Sequence, residues 1–496
     1  MFFTELLGLL NPLSILIIFL CTVVGIIFGA IPGLSGGLGV SLLLPLTFGM
    51  DDALSFTMLI AVWVGGISGG FISATLIGIP GAPASIATCF DAYPLSQKGE
   101  TVRALGIGIL ASFAGTFLSC LVATFLSPYI ADFAMKLGPW EYFSLCFCAI
   151  TLVASLSKGS IFKGMFAAFL GIFLCTIGVA PLDGAYRFTF GNIYLGGGLD
   201  MVALMLGIYA IKQVASDFAK GQQELPDVNT GKISGFGVKL SDIFDNIKII
   251  IQSFLIGLWI GFLPGMGSGL SNMVAYAQAK SGSKHPETFG KGEPGGIWAS
   301  ETSNNASVGG ALIPMIALGI PGDAVTALLL SGLMIHGLQP GPLLISSSPQ
   351  LVYLIFAAVM VSAVFVVAEQ FFGMRWFPLL LKAPYHYLYG VILVMCFIGA
   401  YTSTNTTFNI LCVLFFAGIG IMLDVFKIPT SPLILAFILG PKLEEYFRKG
   451  VSYAKGDYTQ FFVRPISALF LLVACICLLS PYIKPLLVKK KAAANP

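Results

Sequence analysis

Runs of about 20 apolar residues, the length of helix that crosses roughly 30 Å of hydrocarbon, recur along almost the whole chain. Segment 350–374, QLVYLIFAAVMVSAVFVVAEQFFGM, carries a single charged residue. Only 10% of the 496 residues are Asp, Glu, Lys or Arg, against about 25% in a soluble domain. With 57% hydrophobic residues and a mean hydropathy of +0.92, the chain has too few charges to cover a water-facing surface. Lipid must be its main solvent. A transmembrane barrel would alternate polar and apolar residues over strands of about ten. Unbroken runs and 58 glycines fit helices that approach closely or break. The expected fold is therefore an all-α polytopic membrane protein.

Apolar segments predict spans near 6–30, 54–79, 104–127, 139–157, 160–180 and 198–215. A second series follows near 246–263, 297–320, 322–338, 350–374, 384–401, 407–425, 429–446 and 461–483. Counting broken or re-entrant helices, about 11 to 14 membrane segments are expected. The first apolar stretch runs to Gly29 with no Lys or Arg ahead of it, so it reads as a retained span rather than a cleaved signal. The domain reading is a first transmembrane repeat over 1–215, a polar linker over 216–245, a second repeat over 246–484 and a basic tail over 485–496. Lys489, Lys490 and Lys491 favour a cytoplasmic C-terminus.

Several function classes drop out early. A net charge of +3 without a basic stripe argues against nucleic acid as a partner. The cysteines lie mostly within apolar segments with no CxxC pair, and His285, His336 and His386 lack ligand spacing, so no cysteine or histidine metal centre is supported. No GxxxxGK[ST] segment is present, and coupling to ATP within this chain is unsupported.

The two halves resemble each other. GIIFGAIPGLSGGL (25–38) aligns with GLWIGFLPGMGSGL (257–270) at an offset of 232. LIGIPGAP (76–83) aligns with ALGIPGDA (317–324) at 241, and GPWEYFSL (138–145) with APYHYLYG (383–390) at 245. Three matches in order, with an offset drifting one way, indicate duplication. Internal repeats of this kind underlie many transporter folds.

Each half carries two Pro-Gly pairs inside apolar sequence: Pro32-Gly33 and Pro80-Gly81, then Pro264-Gly265 and Pro321-Gly322. Proline removes a backbone donor and clashes with the preceding turn, while glycine tolerates unusual dihedrals. Hydrocarbon cannot satisfy the freed backbone groups, so such breaks must be buried in protein or line a cavity. A simple proline kink is the alternative for any one of them; four in matched pairs read as discontinuous helices. Small and hydroxylated residues follow the breaks, among them Gly33, Ser35, Gly36 and Gly37 in the first half and Gly265, Gly267, Ser268, Ser271 and Asn272 in the second. Helix N-termini with free N–H groups suit a carboxylate; close helix packing through small residues is the competing reading.

The most polar intramembrane stretch is WASETSNNASVGG (298–310), with Glu301, Ser303, Asn304 and Asn305; its counterpart carries Ser68. Ionisable groups within spanning segments are costly and are functional candidates. Glu301 and Asp323, with Asn304, are the candidates for coupling an ion. Sodium is one candidate ion, with no ligand set defined. An interfacial helix cap is the alternative for 298–305. Asp91 and Lys98, and likewise Asp183, Arg187 and Asp200, read as solvent-loop residues, and Arg375 as snorkelling beside Trp376. With no basic residue at membrane centre, an anion carrier would rely on helix termini, neutral donors and an accompanying cation.

Segments 29–50, 76–100, 261–269 and 299–342 (GAIPGLSGGLGVSLLLPLTFGM, LIGIPGAPASIATCFDAYPLSQKGE, GFLPGMGSG and ASETSNNASVGGALIPMIALGIPGDAVTALLLSGLMIHGLQPGP) resemble the large membrane subunit of the tripartite tricarboxylate transporter family. The resemblance covers essentially the whole chain. It implies a multi-pass protein of a bacterial or archaeal inner membrane that works with a small membrane subunit and a periplasmic substrate-binding protein. It also implies tri- or dicarboxylate substrates such as citrate and uptake driven by a sodium or proton gradient, with no other cofactor; a homodimer is allowed. A channel would need a continuous polar lining, and an intramembrane aspartyl protease a second deep aspartate facing Asp323. The expectation is a carrier, not an enzyme.

Overall fold

The computed structural model describes residues 1–156, 160–220, 235–381 and 386–493. Residues 221–234 of the expected linker, 383–385 of the third repeat match and 494–496 of the tail lie outside them. Among the described residues the chain is helical apart from one two-stranded hairpin, Gly178–Val179 with Tyr186–Arg187. Among the described residues, seven helices are long and apolar enough to cross a membrane, and six shorter apolar helices accompany them.

After a short helix, Phe2–Gly8, the first half builds α1 (Pro12–Ala30), α2 (Gly36–Leu43), α3 (Asp52–Leu76), α4 (Cys89–Leu95), α5 (Thr101–Ala134), α6 (Pro139–Leu156), α7 (Ile161–Cys175) and α8 (Lys212–Lys220). The second half builds α9 (Ile247–Phe262), α10 (Gly267–Gly282), α11 (Pro294–Leu318), α12 (Ala324–Ile335), α13 (Pro349–Gly373), α14 (His386–Thr404), α15 (Thr407–Val425), α16 (Ser431–Tyr453) and α17 (Pro465–Ala493). The expected span 6–30 is divided because Asn11 caps α1, accepting from the Ser14 amide at 2.9 Å, with Pro12 at the first helical position. The segment expected as a basic tail continues the last helix as far as Ala493.

The fold forms two compact units, one of Met1–Asp132 with Met205–Ala417 and one of Phe133–Leu204 with Gly418–Pro496. Each unit draws chain from both sequence halves. In the second unit, α7 packs its Gly171 on the Leu433 backbone of α16, and Ser144 of α6 bonds Ser467 of α17 at 2.7 Å. Arg187 binds Glu444 through both carboxylate oxygens, at 2.8 and 2.9 Å. Arg187 is thus a half-buried ion-pair partner rather than a solvated loop residue.

The first unit holds all four Pro-Gly pairs. Its core is two close helix pairs, α1 on α3 and α9 on α11, joined backbone to backbone through glycine. A Cβ at Gly25 would strike the Val62 carbonyl, and one at Gly257 the Ser303 carbonyl; Gly29 stands likewise against Gly66, and Gly261 against Ser307. Gly69 faces the Ile26 carbonyl as Gly310 faces that of Leu258. In every pair the α1 and α9 residues differ by 232 and the α3 and α11 residues by 241. The offsets of the sequence matches are therefore also the offsets of the packing contacts.

Candidate functional site

All four Pro-Gly pairs lie between helices. α1 stops at Ala30, Gly33 takes φ +91° and α2 begins at Gly36. α9 stops at Phe262, Gly265 takes φ +69° and α10 begins at Gly267, itself at φ +57°. The long helix α3 ends at Leu76, two residues before Gly78, and α11 at Leu318, immediately before Gly319; these glycines stand at φ +70° and +68°. In the left-handed region a side chain would be strained, so GIPG terminates both helices. At Gly319 the end is a reverse turn, with the Gly319 amide on Met315 and the Ile320 amide on the Pro314 carbonyl, each at 3.1 Å. The prolines then forbid continuation. Gly81 returns against the Gly29 carbonyl and Gly322 against that of Gly261, so each second break folds back onto the end of its half's first helix.

Three helix starts converge. A Cβ on Gly267, opening α10, would lie 2.9 Å from the Asp323 Cβ, and one on Gly37 of α2 would lie 3.3 Å from Val325 of α12. At α12 the N-terminus is already occupied: Asp323 accepts from the Thr326 amide and hydroxyl, both at 2.7 Å, while the Asp323 amide donates back to Thr326 at 2.8 Å. Ser35 is the N-cap of α2, accepting from the Leu38 amide at 3.2 Å. No side chain caps α10, which leaves the amides of Gly267 and Ser268 to whatever lies before them. Close by, Gln213 of α8 donates to the Gly33 carbonyl at 3.0 Å and to Asp217 at 2.8 Å.

From Gly295 to Ala317 every residue of α11 is buried, so its polar face meets protein and not lipid. Glu301 accepts from the Thr88 hydroxyl at 2.5 Å and from the Asn304 amide at 3.2 Å. Asn305 takes hydroxyl bonds from Ser68 of α3 (2.9 Å) and Thr116 of α5 (3.3 Å), and donates to Ser112 at 3.0 Å and to Glu301 Oε2 at 3.3 Å. Asn304 also reaches the Ile67 carbonyl at 3.5 Å. Ser271 donates to the Ser268 and Ser303 carbonyls, and the Asn272 amide donates to the Ala84 carbonyl beside the second break. Three oxygens of α11, Thr302 Oγ1, Ser303 Oγ and Asn304 Oδ1, and Asn272 Oδ1 of α10 stay buried without a partner among the described residues. Neither Glu301 nor Asp323 has an ion-pair partner there. Glu301 is fully buried, and such a carboxylate without a counter-charge is strongly disfavoured, so protonation or a bound cation suits it; Asp323 is only half-buried.

Thus Ser68, Asn304, Asn305 and Glu301 share one network, Ser271 meets only the backbone of Ser303 on α11 and Asn272 the Ala84 carbonyl, while Gly33, Ser35, Gly36, Gly37, Gly265, Gly267, Ser268 and Asp323 belong to the break region. Asp91 corrects the sequence reading. It is fully buried, not a solvent-loop residue: Oδ1 accepts amides from Gly290, Gly292 and Glu293, and Oδ2 the Tyr276 hydroxyl, all at 2.8 Å. Nothing in CFDAYPL announced that the polar loop 280–296 would fold over it. Ser112 and Thr116 were also missed, although with Ser119 they recur at helical spacing along one stripe of an apolar helix. Gln370, donating to the Ser68 carbonyl at 3.1 Å, gave no such signal. Arg375 lies 4.6 Å over the Trp376 ring.

Comparison with known proteins agrees with this architecture. Residues 15–435 match the tripartite tricarboxylate transporter TctA family. An uncharacterized 52.8 kDa protein in the TAR-I ttuC' 3' region of Agrobacterium vitis is 31% identical over 94% of this chain and 93% of its own length. A second protein of that organism, in the TAR-II ttuC' 3' region, is 32% identical over 45% of this chain and 92% of its own. No solved structure matches. The chain belongs to the tripartite tricarboxylate transporter TctA family.

Proposed function

We propose that this multi-pass membrane component carries out secondary active uptake of small organic anions, tri- or dicarboxylates such as citrate, driven by a sodium or proton gradient. A small membrane subunit and a periplasmic binding protein that delivers substrate are its partners, and a bacterial or archaeal cytoplasmic membrane is its setting. The observation that carries the reading is the convergence of the α2, α10 and α12 starts beside a buried polar helix face. The uncapped α10 terminus offers amides and a partial positive charge to a carboxylate.

Coupling follows from charge. Asp323 stands at the same convergence as the proposed anion site, and Glu301 is buried with hydroxyl and amide donors but no basic partner. A substrate anion beside Asp323, with the buried Glu301 on α11, is accommodated only if protons or cations enter with it. Glu301, Asn304 and Asp323 are the residues assigned to that task.

Uptake into proteoliposomes tests the reading. The chain would be reconstituted with its two partner proteins and offered labelled carboxylates under separate sodium and proton gradients. Saturable accumulation that needs one of the gradients supports a carrier; gradient-independent, non-saturating flux would contradict it.

A further inference from the structure

Two contacts, one buried and one half-buried, cross between the halves of the first unit, and neither belongs to the polar face of α11. In one, Asp91 of α4 gathers three backbone amides from the loop preceding α11 and the Tyr276 hydroxyl of α10. In the other, His336, which caps the end of α12, bonds Asp52 at the start of α3 through Nδ1 at 2.7 Å and Thr47 through Nε2 at 3.2 Å. The two are related by the repeat: α4 and α12 are the return helices after the GIPG breaks, and Glu293 and Asp52 differ by the same 241 residues. Each return helix of one half is therefore tied at the start of the other half's long helix, Asp91 to the loop leading into α11 and His336 to the first residue of α3.

The contacts lie at opposite ends of the α3–α11 pair. Tyr93, two residues after Asp91, packs its ring on Gly78, just past the end of α3, while Asp91 itself lies against Gly296 in the first turn of α11. Five residues after His336, a Cβ on Gly341 would lie 3.6 Å from Leu318 at the end of α11, and His336 holds the first residue of α3. So α3 and α11 run in opposite directions, and one tie closes each end.

We propose that Asp91 and His336 are positioning residues for transport, two clasps that hold the return helices shut at opposite ends of the site, so that releasing one admits solvent and substrate from that side alone. The proposal rests on the transport reading above. It gives physical content to alternating access: a carrier must never open both ends together, and a break-and-return helix fastened across the repeat at each end can be released at one end while the other holds. The chemistry is unequal. Asp91 is closed by four donors, whereas the His336 clasp has two hydrogen bonds and a half-exposed partner, Asp52 at 48%, which makes it the weaker of the two.

Side-specific thiol labelling tests this. Ser303→Cys places a near-isosteric probe on the buried α11 face, and a membrane-impermeant thiosulfonate is applied from either side of oriented proteoliposomes, with the chain lacking that substitution as background. Asp91→Ala should raise the labelling rate from one side by roughly tenfold, as expected for losing bonds to a charged group. His336→Ala should raise it from the other side. Tyr276→Phe and Asp52→Asn serve as milder counterparts where the alanine variants fail to fold, with smaller shifts of the same sidedness. Both clasps acting on the same side, or neither altering sidedness, would overturn the proposal. Uptake of labelled carboxylate is followed in the same vesicles. No uptake by the native chain, with opposite-sided labelling intact, would contradict the transport reading and support the clasps; uptake with labelling indifferent to both substitutions would remove the clasps alone.

Discussion

Ser68 donates its hydroxyl to Asn305 across 2.9 Å, which ties the long helix of the first half to the long helix of the second at the heart of the first unit. Both side chains are buried, at 2% and 0% exposure, so neither has water as an alternative partner. Asn305→Ala would strand the Ser68 and Thr116 hydroxyls and leave Ser112 only its 3.4 Å bond to Glu301, at about 1–3 kcal/mol for each group left unpaired. The variant is expected to unfold at lower temperature in detergent and to transport more slowly per folded molecule. Stability equal to the native chain would contradict this.

Glu301→Gln keeps the size and most hydrogen bonds of the side chain but removes its charge and its proton. If Glu301 couples a cation to uptake, the variant folds, still binds substrate and loses most of its gradient-driven accumulation, while counterflow exchange suffers less. Equal loss in both assays would make Glu301 a structural residue only.

Backbone contact through glycine predicts steep size limits. Gly29→Ala and Gly261→Ala, at repeat-related positions, each drive a methyl into the carbonyl of the facing long helix. Overpacking of this sort costs about 1–3 kcal/mol, so each should lower the melting temperature, whereas Gly418→Ala, with open space around it, should not. Similar melting for all three would mean that the helix pairs adjust freely.

Asp242, just ahead of α9, provides a pH signature outside the spanning segments. Burial alone would raise its carboxyl, but Arg103, bonding it at 2.5 and 3.1 Å, and the Lys239 amide at 3.0 Å hold it below the ordinary aspartate value. A carboxyl depressed on folding stabilises above its unfolded value, about 3.9, and that contribution fades as pH falls through the folded value. Asp242→Asn should therefore melt earlier than the native chain at neutral pH, with the gap closing below about pH 4. A gap unchanged down to pH 3 would exclude this electrostatic origin.

Much of this was legible in the residues. Apolar run length gave the helical membrane class, and the two GIPG segments marked where α3 and α11 end, because a left-handed glycine followed by proline leaves a helix no continuation. The polar character of 298–310 marked the buried face, since lipid would not tolerate it. What stayed hidden were relationships that only tertiary packing creates. Asp91 looked like a loop residue because its four donors come from 185 to 202 residues away. The division into two units, each drawing on both halves, likewise leaves no local trace.

The central claim is that the α10 start, beside Asp323, receives the substrate carboxylate. It is tested most directly by gradient-driven uptake of labelled carboxylate by Gly267→Val set against Gly282→Val at the other end of the same helix. A Cβ at Gly267 meets Asp323 at 2.9 Å on a left-handed backbone, while one at Gly282 meets nothing within 4 Å. Uptake per folded molecule should fall at least roughly tenfold for Gly267→Val and stay near native for Gly282→Val. Equal, near-native uptake by both would contradict the account.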